Sequence, residues 1–317
     1  MLVAITGASG FVGRHLVDLH LQRGDRVRVL KRASSPGAGS ANVEAVVGDI
    51  TVPDRQLRDF ASGADVLYHC AADINDERLM QAVNVDGTRH LVAAARGAIG
   101  RWIQVSSVAV YGHAKRGTIT ETSPLAPDTV YGRTKRDAEN IVHTAVESGA
   151  FACCTVRPSI IFGCDMPNRS LFQLVAMINK GMFFFIGRPG AVMNYIHVDS
   201  VAVALARCAT SAEAAGKTYN LSEVVTLERF AEIIAGELNI KPPSLRLPES
   251  ALRVIAAAAR VLPRFLLTSA RIDALTNRNV YSAARIAHEL AYNPVMSLET
   301  GLRKFVRSWM KTRAHAS

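Results

Sequence analysis

The sequence lacks an uninterrupted apolar run long enough to cross a bilayer, and it lacks any run of five or more like charges. Residues 251–267 form its most hydrophobic stretch, but this stretch is interrupted by Arg253, Arg260, Pro263 and Arg264. We therefore favour a helix packed on its own domain, with a helix lying on a membrane surface as the alternative. Zinc-finger, RNP and basic-zipper patterns are also missing, so nucleic acid is not expected as a partner.

Cysteine is scarce and follows no ligand or disulfide pattern. There are five cysteines, without C-x-x-C spacing, and Cys153 and Cys154 are neighbours in an apolar run, so we interpret them as reduced core thiols. The nine histidines show no metal-ligand spacing, so no metal is expected. The apolar N-terminus leads directly into glycines, which argues against a signal peptide. The expected location is the cytoplasm, at the inner membrane surface if residues 251–267 lie on a bilayer.

The composition indicates a globular chain with a basic surface. Of 317 residues, 49% are hydrophobic, which is enough to bury a core in one large domain or two unequal lobes. The formal net charge is +10. This charge favours a phosphate-bearing partner such as a dinucleotide, a nucleotide sugar or a lipid diphosphate, although a solvated basic surface would also account for it.

Short β-rich segments alternate with helical patterns through the first half of the chain. The predicted strands are Leu2–Thr6, Arg26–Lys31, Val43–Gly48, Val66–His69, Trp102–Ser106 and Cys153–Arg157. The predicted helices are 11–23, 54–62, 77–98 and 129–148. Strands separated by helices require right-handed crossovers, so the pattern predicts an α/β fold with a doubly wound parallel sheet, the Rossmann layout.

The regular alternation of predicted strands and helices ends after Pro158. A helical segment at 170–180 and an aromatic turn follow, and the sequence is mostly helical from 226 onward. The predicted parts are a dinucleotide-binding domain over 1–165 with a returning strand–helix unit at about 194–222, and a smaller, mostly helical substrate lobe made of 166–193 and 223–317.

A glycine-rich turn follows the first predicted strand directly and opens the first predicted helix. Its sequence is T-G-A-S-G-F-V-G, beginning at Thr6. Glycines permit a tight turn, and backbone N–H groups at the helix N-terminus can approach a pyrophosphate. The residues predicted to contact a dinucleotide are Gly7, Ser9, Gly10, Phe11, Val12 and Gly13.

The second predicted strand ends in cations, where an acid usually accepts a hydrogen bond from the adenosine ribose. Lys31 and Arg32 stand at this position. A guanidinium and an ammonium suit a 2′-phosphate, so we predict NADPH as the cofactor, with NAD as the alternative. A solvated basic loop is the non-functional interpretation.

Tyr131 and Lys135 are four residues apart in a predicted helix, which places the phenol and the ammonium on one face. A neighbouring cation favours the phenolate and so makes the phenol a better proton acceptor. Ser107 follows the fifth predicted strand, at the sheet edge where doubly wound folds bind ligands. The Tyr–Lys pair alone is usually structural, but with Ser107 and the glycine turn it predicts a catalytic site.

Together these motifs resemble the extended short-chain dehydrogenases, in particular the NAD-dependent epimerase/dehydratase family. The resemblance implies that Tyr131 exchanges the substrate proton, that Ser107 hydrogen-bonds the substrate oxygen, and that Lys135 orients the ribose and lowers the pKa of Tyr131. It also implies a homodimer formed through two helices beside the sheet. The cofactor contacts that it implies, besides Tyr131 and Lys135, are Asp49, Ile50, Ala71, Ala72, Asn84, Ser106, Arg157, Pro158 and Ile160.

The resemblance restricts the range of possible substrates only in part, because members of this family act on nucleotide sugars, steroids and flavonoids. Met193 stands where galactose-type UDP-sugar epimerases usually carry an arginine for the pyrophosphate. Val108 and Ala109 stand where dehydratases carry an acid pair, which disfavours dehydration. The second half is more similar to sugar epimerases and reductases of surface-polysaccharide pathways, including undecaprenyl-diphosphate-sugar 4-epimerases.

The leading hypothesis is accordingly an NAD(P)-dependent epimerase or ketoreductase acting on C4 of a sugar carried by a nucleotide or a polyprenyl diphosphate. The first alternative is an NADPH-dependent reductase or dehydrogenase of a steroid-like or other small carbonyl compound. It would gain support if Phe183, Phe184 and Phe185 lined an apolar pocket. The second alternative is a non-catalytic dinucleotide-sensing protein, against which the intact catalytic residues argue.

Overall fold

A computed structural model describes residues 1–33, 42–112, 116–258 and 268–314 of the chain. Its strands, in chain order, are β1 (Leu2–Thr6), β2 (Arg26–Lys31), β3 (Val43–Val47), β4 (Ala64–His69), β5 (Ile99–Val105), β6 (Arg116–Ile119), β7 (Ala152–Pro158), β8 (Ile160–Phe162), β9 (Phe185–Ile186), β10 (Val192–His197), β11 (Lys217–Leu221), β12 (Glu223–Thr226), β13 (Arg246–Leu247) and β14 (Arg278–Tyr281).

The helices alternate with these strands in the first half and predominate toward the C-terminus. They are α1 (Phe11–Gln22), α2 (Arg55–Ala61), α3 (Glu77–Met80), α4 (Gly87–Ala95), α5 (Val130–Glu147), α6 (Ser170–Asn179), α7 (Val198–Thr210), α8 (Leu227–Glu237), α9 (Glu249–Ala258), α10 (Ser269–Thr276), α11 (Ala284–Glu289) and α12 (Leu298–Ala314).

Seven of the described strands form one parallel sheet in the order β11-β7-β5-β4-β1-β2-β3. The order reverses between β1 and β4, and such a switch point opens a crevice at the carboxyl ends of the strands. β1 ends at Thr6 and β4 ends at His69, so the loops that follow them meet there. The predicted Rossmann layout is confirmed, and all six strands predicted for the first half exist, with ends that differ by up to three residues.

Helices cover both faces of this sheet. Because side chains alternate along a strand, neighbours such as Leu67 and Tyr68 of β4 enter opposite cores. Helices α1 and α7 pack together over one face, and α2, α4 and α5 cover the other. This double burial of apolar side chains is the main source of stability and holds the crevice between β1 and β4 in a fixed shape.

The helical C-terminal region has a core of its own. Helices α6, α8 and α12 pack against β10, which pairs with β8 and β12 in a three-stranded sheet. Phe230 and Phe305 are among the fully buried side chains of this core. A smaller core made by Ile186, Leu252, Ala256 and Ile272 joins β9 to α9 and α10.

The helix predicted over 77–98 is interrupted. A π-helical turn, Gln81–Asp86, separates α3 from α4, and β5 begins at Ile99. π-Turns are common at functional sites, because the extra residue in the turn re-aims the side chains around it. Here the turn carries Asn84 into the protein interior.

The hydrophobic stretch 251–267 is described only in part. Up to residue 258 it belongs to α9, and residues 259–267 lie outside the described part. Leu252 and Ala256 face the interior. None of the helices described by the structure is both long and apolar enough to cross a membrane.

Candidate active site

The glycine turn has the geometry that a bound diphosphate requires. Gly7 has a φ of 66°, and its carbonyl oxygen accepts a hydrogen bond from the N–H of Gly10 at 2.9 Å. A Cβ atom at Gly13 would lie 2.1 Å from the Gly7 carbonyl oxygen, so the helix and the turn pack this closely only without a side chain there. Helix α1 begins after Gly10 and has no acidic side chain in its first turn. Its N-terminal N–H groups therefore suit an anion, and the cradle fits a dinucleotide.

A buried hydrogen-bond chain fixes the crevice between β1 and β4. The Thr6 hydroxyl accepts from the Ala71 N–H at 3.2 Å and donates to Nδ1 of His69 at 2.8 Å. Nε2 of His69 donates to the Thr88 hydroxyl at 2.9 Å, which donates to the Asn84 carbonyl oxygen at 2.6 Å. Burial lowers the pKa of His69 to about 3, so its imidazole is neutral and its tautomer is set by these neighbours.

The side chain of Asn84 links this crevice to the catalytic helix. Its Oδ1 accepts from the Asp73 N–H, and its Nδ2 donates to the Asp73 carbonyl and to the Thr134 hydroxyl of α5. The amide thus holds the loop after β4, which contains Ala71 and Ala72, against the helix that carries Tyr131. The cofactor contacts predicted for Ala71, Ala72 and Asn84 stay a prediction. The contacts observed for the Asn84 amide are with protein groups.

Ser107 and Tyr131 meet beyond the end of β5. The Ser107 hydroxyl oxygen accepts from the Ala109 N–H at 3.2 Å, and this hydroxyl lies near enough to the Tyr131 phenol to affect its pKa. A Cβ atom at Gly132 would lie 2.5 Å from the Ala109 carbonyl oxygen, so this glycine lets α5 approach closely. Burial raises the pKa of Tyr131 to about 12, and the nearby Ser107 hydroxyl opposes that rise. The phenol of Tyr131 is therefore protonated at neutral pH.

Lys135 lies one helical turn after Tyr131 and is buried. Its ammonium donates to the Val105 carbonyl oxygen at 2.5 Å. Burial lowers its pKa to about 8, and the Glu139 carboxylate opposes that shift. The structure thus brings together all three residues predicted to be catalytic, at the carboxyl end of β5.

A buried ion pair behind the catalytic residues was missed by sequence reasoning. The guanidinium of Arg157 donates to both carboxylate oxygens of Glu139, at 3.0 and 2.6 Å, and to the Tyr111 hydroxyl at 2.8 Å. Tyr111 donates in turn to Asn220 on β11. The donors of Arg157 hold α5 in place through Glu139, and its predicted contact with the cofactor stays a prediction. The repeat Tyr131, Lys135, Glu139 at i, i+4 and i+8 is the sequence signal that could have revealed Glu139.

The other predicted cofactor contacts lie around the same crevice. Lys31 ends β2 and Arg32 is exposed just beyond it. One Asp49 carboxylate oxygen accepts from the backbone and the hydroxyl of Thr51. The Ser106 hydroxyl is buried and has no hydrogen-bond partner within the described part of the chain, so it is free for a ligand. Of the remaining predicted contacts, Ile50 and Pro158 are buried and Ile160 is exposed.

A cavity of about 1900 Å³ lies beside the loop that carries Ser107 and is lined mainly by residues that follow β7. Val108, Ser159 and Ile160 line it beside Ser107. Its apolar lining residues include Leu174, Met177, Phe183, Phe184, Ile186, Met193, Leu247 and Leu275. Its charged lining residues are Arg188, Arg246, Arg253, Arg271, Arg278, Asp128, Glu249 and Asp273. The cavity thus combines a group of apolar side chains with polar and charged ones, and arginines outnumber carboxylates among its charged residues.

A parallel sheet with a phosphate cradle at its switch point, next to a Ser–Tyr–Lys group, defines a dinucleotide-dependent oxidoreductase or epimerase fold. Comparison with known families agrees. The chain belongs to the NAD dependent epimerase/dehydratase family, which matches residues 3–222.

Individual relatives differ in the compounds that their names record. The chain is 34% identical to a ceramide reductase of Caulobacter vibrioides, over 78% of this chain and 74% of that protein. It is 29% identical to a 3 beta-hydroxysteroid dehydrogenase/Delta 5-->4-isomerase of Mycobacterium tuberculosis, over 95% of this chain and 88% of that protein. The structure of UDP-glucuronic acid 4-epimerase from Bacillus cereus superposes with a TM-score of 0.77 at 17% identity, covering 98% of this chain and 99% of that one. At that identity the likeness shows the fold.

Proposed function

We propose that the protein is an NADPH-dependent reductase of a large, apolar ketone such as a steroid or a long-chain lipid. The observation that carries this proposal is the cavity of about 1900 Å³ beside Ser107, whose apolar side chains offer such a molecule a binding surface. Phe183 and Phe184 line it, whereas Phe185 is buried in the core around β10, so two of the three aromatic residues support the steroid-type alternative. The ceramide and hydroxysteroid relatives support the same class of substrate.

The chain's own residues account for the proton transfer of such a reduction. Gly7, Gly10 and Gly13 would hold a bound dinucleotide, which supplies the hydride for the carbonyl carbon. Ser107 hydrogen-bonds the carbonyl oxygen, and Tyr131 gives that oxygen its phenolic proton. The O–H bond of the phenol breaks as the O–H bond of the alcohol forms.

The protonation state of Tyr131 is compatible with this proton transfer. Burial raises the pKa of Tyr131 to about 12, so the phenol keeps its proton until the substrate oxygen takes it. Lys135 is buried one turn away, and its positive charge would stabilise the phenolate that remains.

The dependence of kcat/KM on the chain length of the substrate provides a test of this proposal. We expect kcat/KM for 3-oxo lipids to rise with chain length, by about tenfold for every two or three methylene groups that the cavity buries. Initial rates of NADPH oxidation with a series of 3-oxoacyl compounds and a 3-oxosteroid would show this. A chain that reduced none of these ketones but epimerised a UDP-sugar would overturn the proposal.

A sugar on a polyprenyl diphosphate is the second candidate. It is favoured by the arginines of the cavity, among them Arg188, which is exposed, and Arg278, which donates to the Arg188 carbonyl oxygen. Such a substrate would also use an apolar lining. Epimerisation of the carried sugar without net consumption of NADPH would support this candidate, and net reduction of a lipid ketone would support the first.

The preference for NADPH can be tested at Arg32. We expect Arg32→Ala to weaken NADPH binding by about tenfold or more and to change NADH binding by less than about twofold, because only NADPH has the 2′-phosphate that the guanidinium would bind. Titration of the cofactor-free protein by fluorescence measures both affinities. Arg55→Ala is the matched control, since Arg55 is an exposed arginine paired with Asp59 on α2. A wild-type protein that bound NADH tenfold more tightly would refute the preference.

A further inference from the structure

Two buried polar side chains in the cavity wall each carry an atom without a partner. Asn279 of β14 is 2% exposed, and Ser159, which follows β7, is 6% exposed. Within the part of the chain that the structure describes, the Oδ1 atom of Asn279 and the hydroxyl oxygen of Ser159 have no hydrogen-bond partner. Both residues line the cavity. A buried polar atom without a hydrogen bond costs free energy, and a ligand in the cavity would supply the missing partners.

The hydrogen bonds around Asn279 are made by its backbone. Its N–H donates to Oδ1 of Asn277 at 3.0 Å, and its carbonyl oxygen accepts from Nδ2 of Asn194 at 2.7 Å. Oδ1 of Asn194 accepts in turn from the N–H of Tyr281 at 3.3 Å. Asn194 therefore uses both ends of its amide to hold β14, whereas Oδ1 of Asn279 is left for a ligand. The terminal torsion of an asparagine is soft, so the Asn279 amide can turn toward a bound molecule.

The strand pattern agrees with a side chain of Asn279 on the cavity side of β14. Asn279 and Tyr281 line the cavity, whereas Val280 between them does not. Side chains alternate along a strand, so Asn279 and Tyr281 share the face that Val280 does not.

Ser159 belongs to the same region of the cavity wall. Ile160 of β8 pairs in parallel with Tyr195 of β10, and Ser159 and Asn194 directly precede these two residues. Ser159 is therefore the neighbour of Asn194 across the two strands, and Asn194 is bonded to the backbone of Asn279. We call Asn279 and Ser159 the polar subsite.

The polar subsite is close to the position expected for the ketone. Ser107 follows β5 and Ser159 follows β7, which are neighbours in the large sheet. Val108, next to Ser107, lines the cavity together with Ser159. Neighbouring strands are about 4.8 Å apart. A molecule whose carbonyl oxygen contacts Ser107 would therefore have its next few atoms beside the polar subsite.

We propose that the polar subsite binds a second polar group of the substrate, an N–H or O–H within a few bonds of the ketone that donates to Oδ1 of Asn279. The proposal rests on the proposed function, because the ketone at Ser107 fixes where the second group lies. The Ser159 hydroxyl can donate and accept, so it completes the hydrogen bonds of that group. A ketone without the group would leave both atoms unpartnered, and the site would discriminate against it.

Matched pairs of ketones test the polar subsite. One pair is a long-chain 3-oxoacyl N-methylamide and the corresponding methyl ester, and the other is a 2-hydroxy ketone and the corresponding 2-methyl ketone. In each pair only the first member has a donor. We expect the ratio of kcat/KM between the members of at least one pair to fall about tenfold or more in Asn279→Leu, because leucine has a similar shape but no acceptor. The pair that responds identifies the donor as an amide or a hydroxyl.

A second variant and a matched control accompany this measurement. Ser159→Ala removes one oxygen atom and should lower the same ratio by at least about threefold. Ser200→Ala is the control, because Ser200 is also buried but its hydroxyl donates to the Met296 carbonyl oxygen at 3.0 Å and accepts from the Met296 N–H at 3.1 Å. This variant should keep the wild-type ratio.

Stability separates a ligand-binding amide from a structural one. Asn194→Ala should lower the midpoint of chemical denaturation, because the Asn194 amide holds β14. Asn279→Leu should not lower it, because Oδ1 of Asn279 has no hydrogen bond to lose. A purely structural Asn279 would instead lower the midpoint as Asn194→Ala does and would reduce the rates on all four ketones equally, and this result would overturn the proposal.

Ratios that are the same in the wild type, Asn279→Leu and Ser159→Ala for both pairs would also overturn it. Calorimetric titration with the same four ketones in the absence of NADPH measures the polar subsite without turnover. Tighter binding of the donor-carrying ketone that depends on Asn279, without reduction of any ketone, would refute the proposed function alone. Reduction of all four ketones with ratios independent of Asn279 would refute the polar subsite alone.

Discussion

Replacing Tyr131 by Phe is expected to lower kcat by at least about a thousandfold while NADPH affinity changes by less than about twofold. The substitution removes the hydroxyl that Ser107 contacts and that would carry the transferred proton. The ring stays in place, and the glycine turn that would hold the diphosphate is untouched. Steady-state kinetics and a cofactor titration on the same preparation measure the two effects separately.

The matched control is Tyr292→Phe. Tyr292 is also buried, and its hydroxyl donates at 2.8 Å to the carbonyl oxygen of Ser200 on α7, a helix that carries none of the predicted catalytic residues. Loss of that hydrogen bond should cost about 1 kcal/mol of stability and leave kcat unchanged. Equal turnover by the Tyr131→Phe variant and the wild type would remove Tyr131 from the mechanism.

Removing the carboxylate of Glu139 is expected to reduce the free energy of unfolding by about 3–5 kcal/mol. Arg157 and Glu139 are both almost fully buried, and Glu139→Ala would leave the guanidinium charged without its partner. Helix α5 would also lose its tie to β7, so kcat should fall as well. Chemical denaturation followed by circular dichroism measures the stability change.

Two controls identify the cause of that loss. Asp59→Ala breaks the exposed pair of Asp59 with Arg55 and should cost less than about 1 kcal/mol. The double variant Glu139→Leu/Arg157→Met removes both charges and should recover much of the stability lost by Glu139→Ala. If Glu139→Ala cost no more than Asp59→Ala, the buried pair would not be what holds the catalytic helix.

The features that sequence reasoning predicted are those with local causes. The alternation of apolar strands and amphipathic helices predicts the parallel sheet, and the helical spacing of Tyr131 and Lys135 places both side chains on one face. The glycine turn has a sequence of its own that fixes its geometry at Gly7 and Gly13. Each of these depends on a few consecutive residues.

The features that it missed depend on contacts between distant parts of the chain. The π-turn at Gln81–Asp86 is held by bonds from Asn84 to Asp73 and to Thr134, fifty residues away. The short pairs β9 with β13 and β6 with β14 join segments with weak strand patterns of their own. The partner of Arg157 likewise becomes evident only when β7 and α5 are side by side.

The substrate is where sequence and structure favour different hypotheses. The resemblance of the second half to polysaccharide-pathway enzymes favoured a sugar. The apolar side chains of the cavity, which come mainly from α6, β9, β10, β13 and α10, support the proposed apolar ketone instead. No single segment of the sequence contains that lining, so its character is evident only from the assembled lobe.

Isotope transfer tests the central claim most directly. The protein is incubated with a long-chain 3-oxo lipid and NADPH that carries deuterium on the transferable C4 position, and the product is analysed by mass spectrometry. Reduction of the ketone at this site predicts one deuterium on the carbinol carbon, in amounts equal to the NADPH consumed, and none with the Tyr131→Phe variant. An unlabelled, unreduced lipid, together with a UDP-sugar epimerised without NADPH consumption, would contradict it.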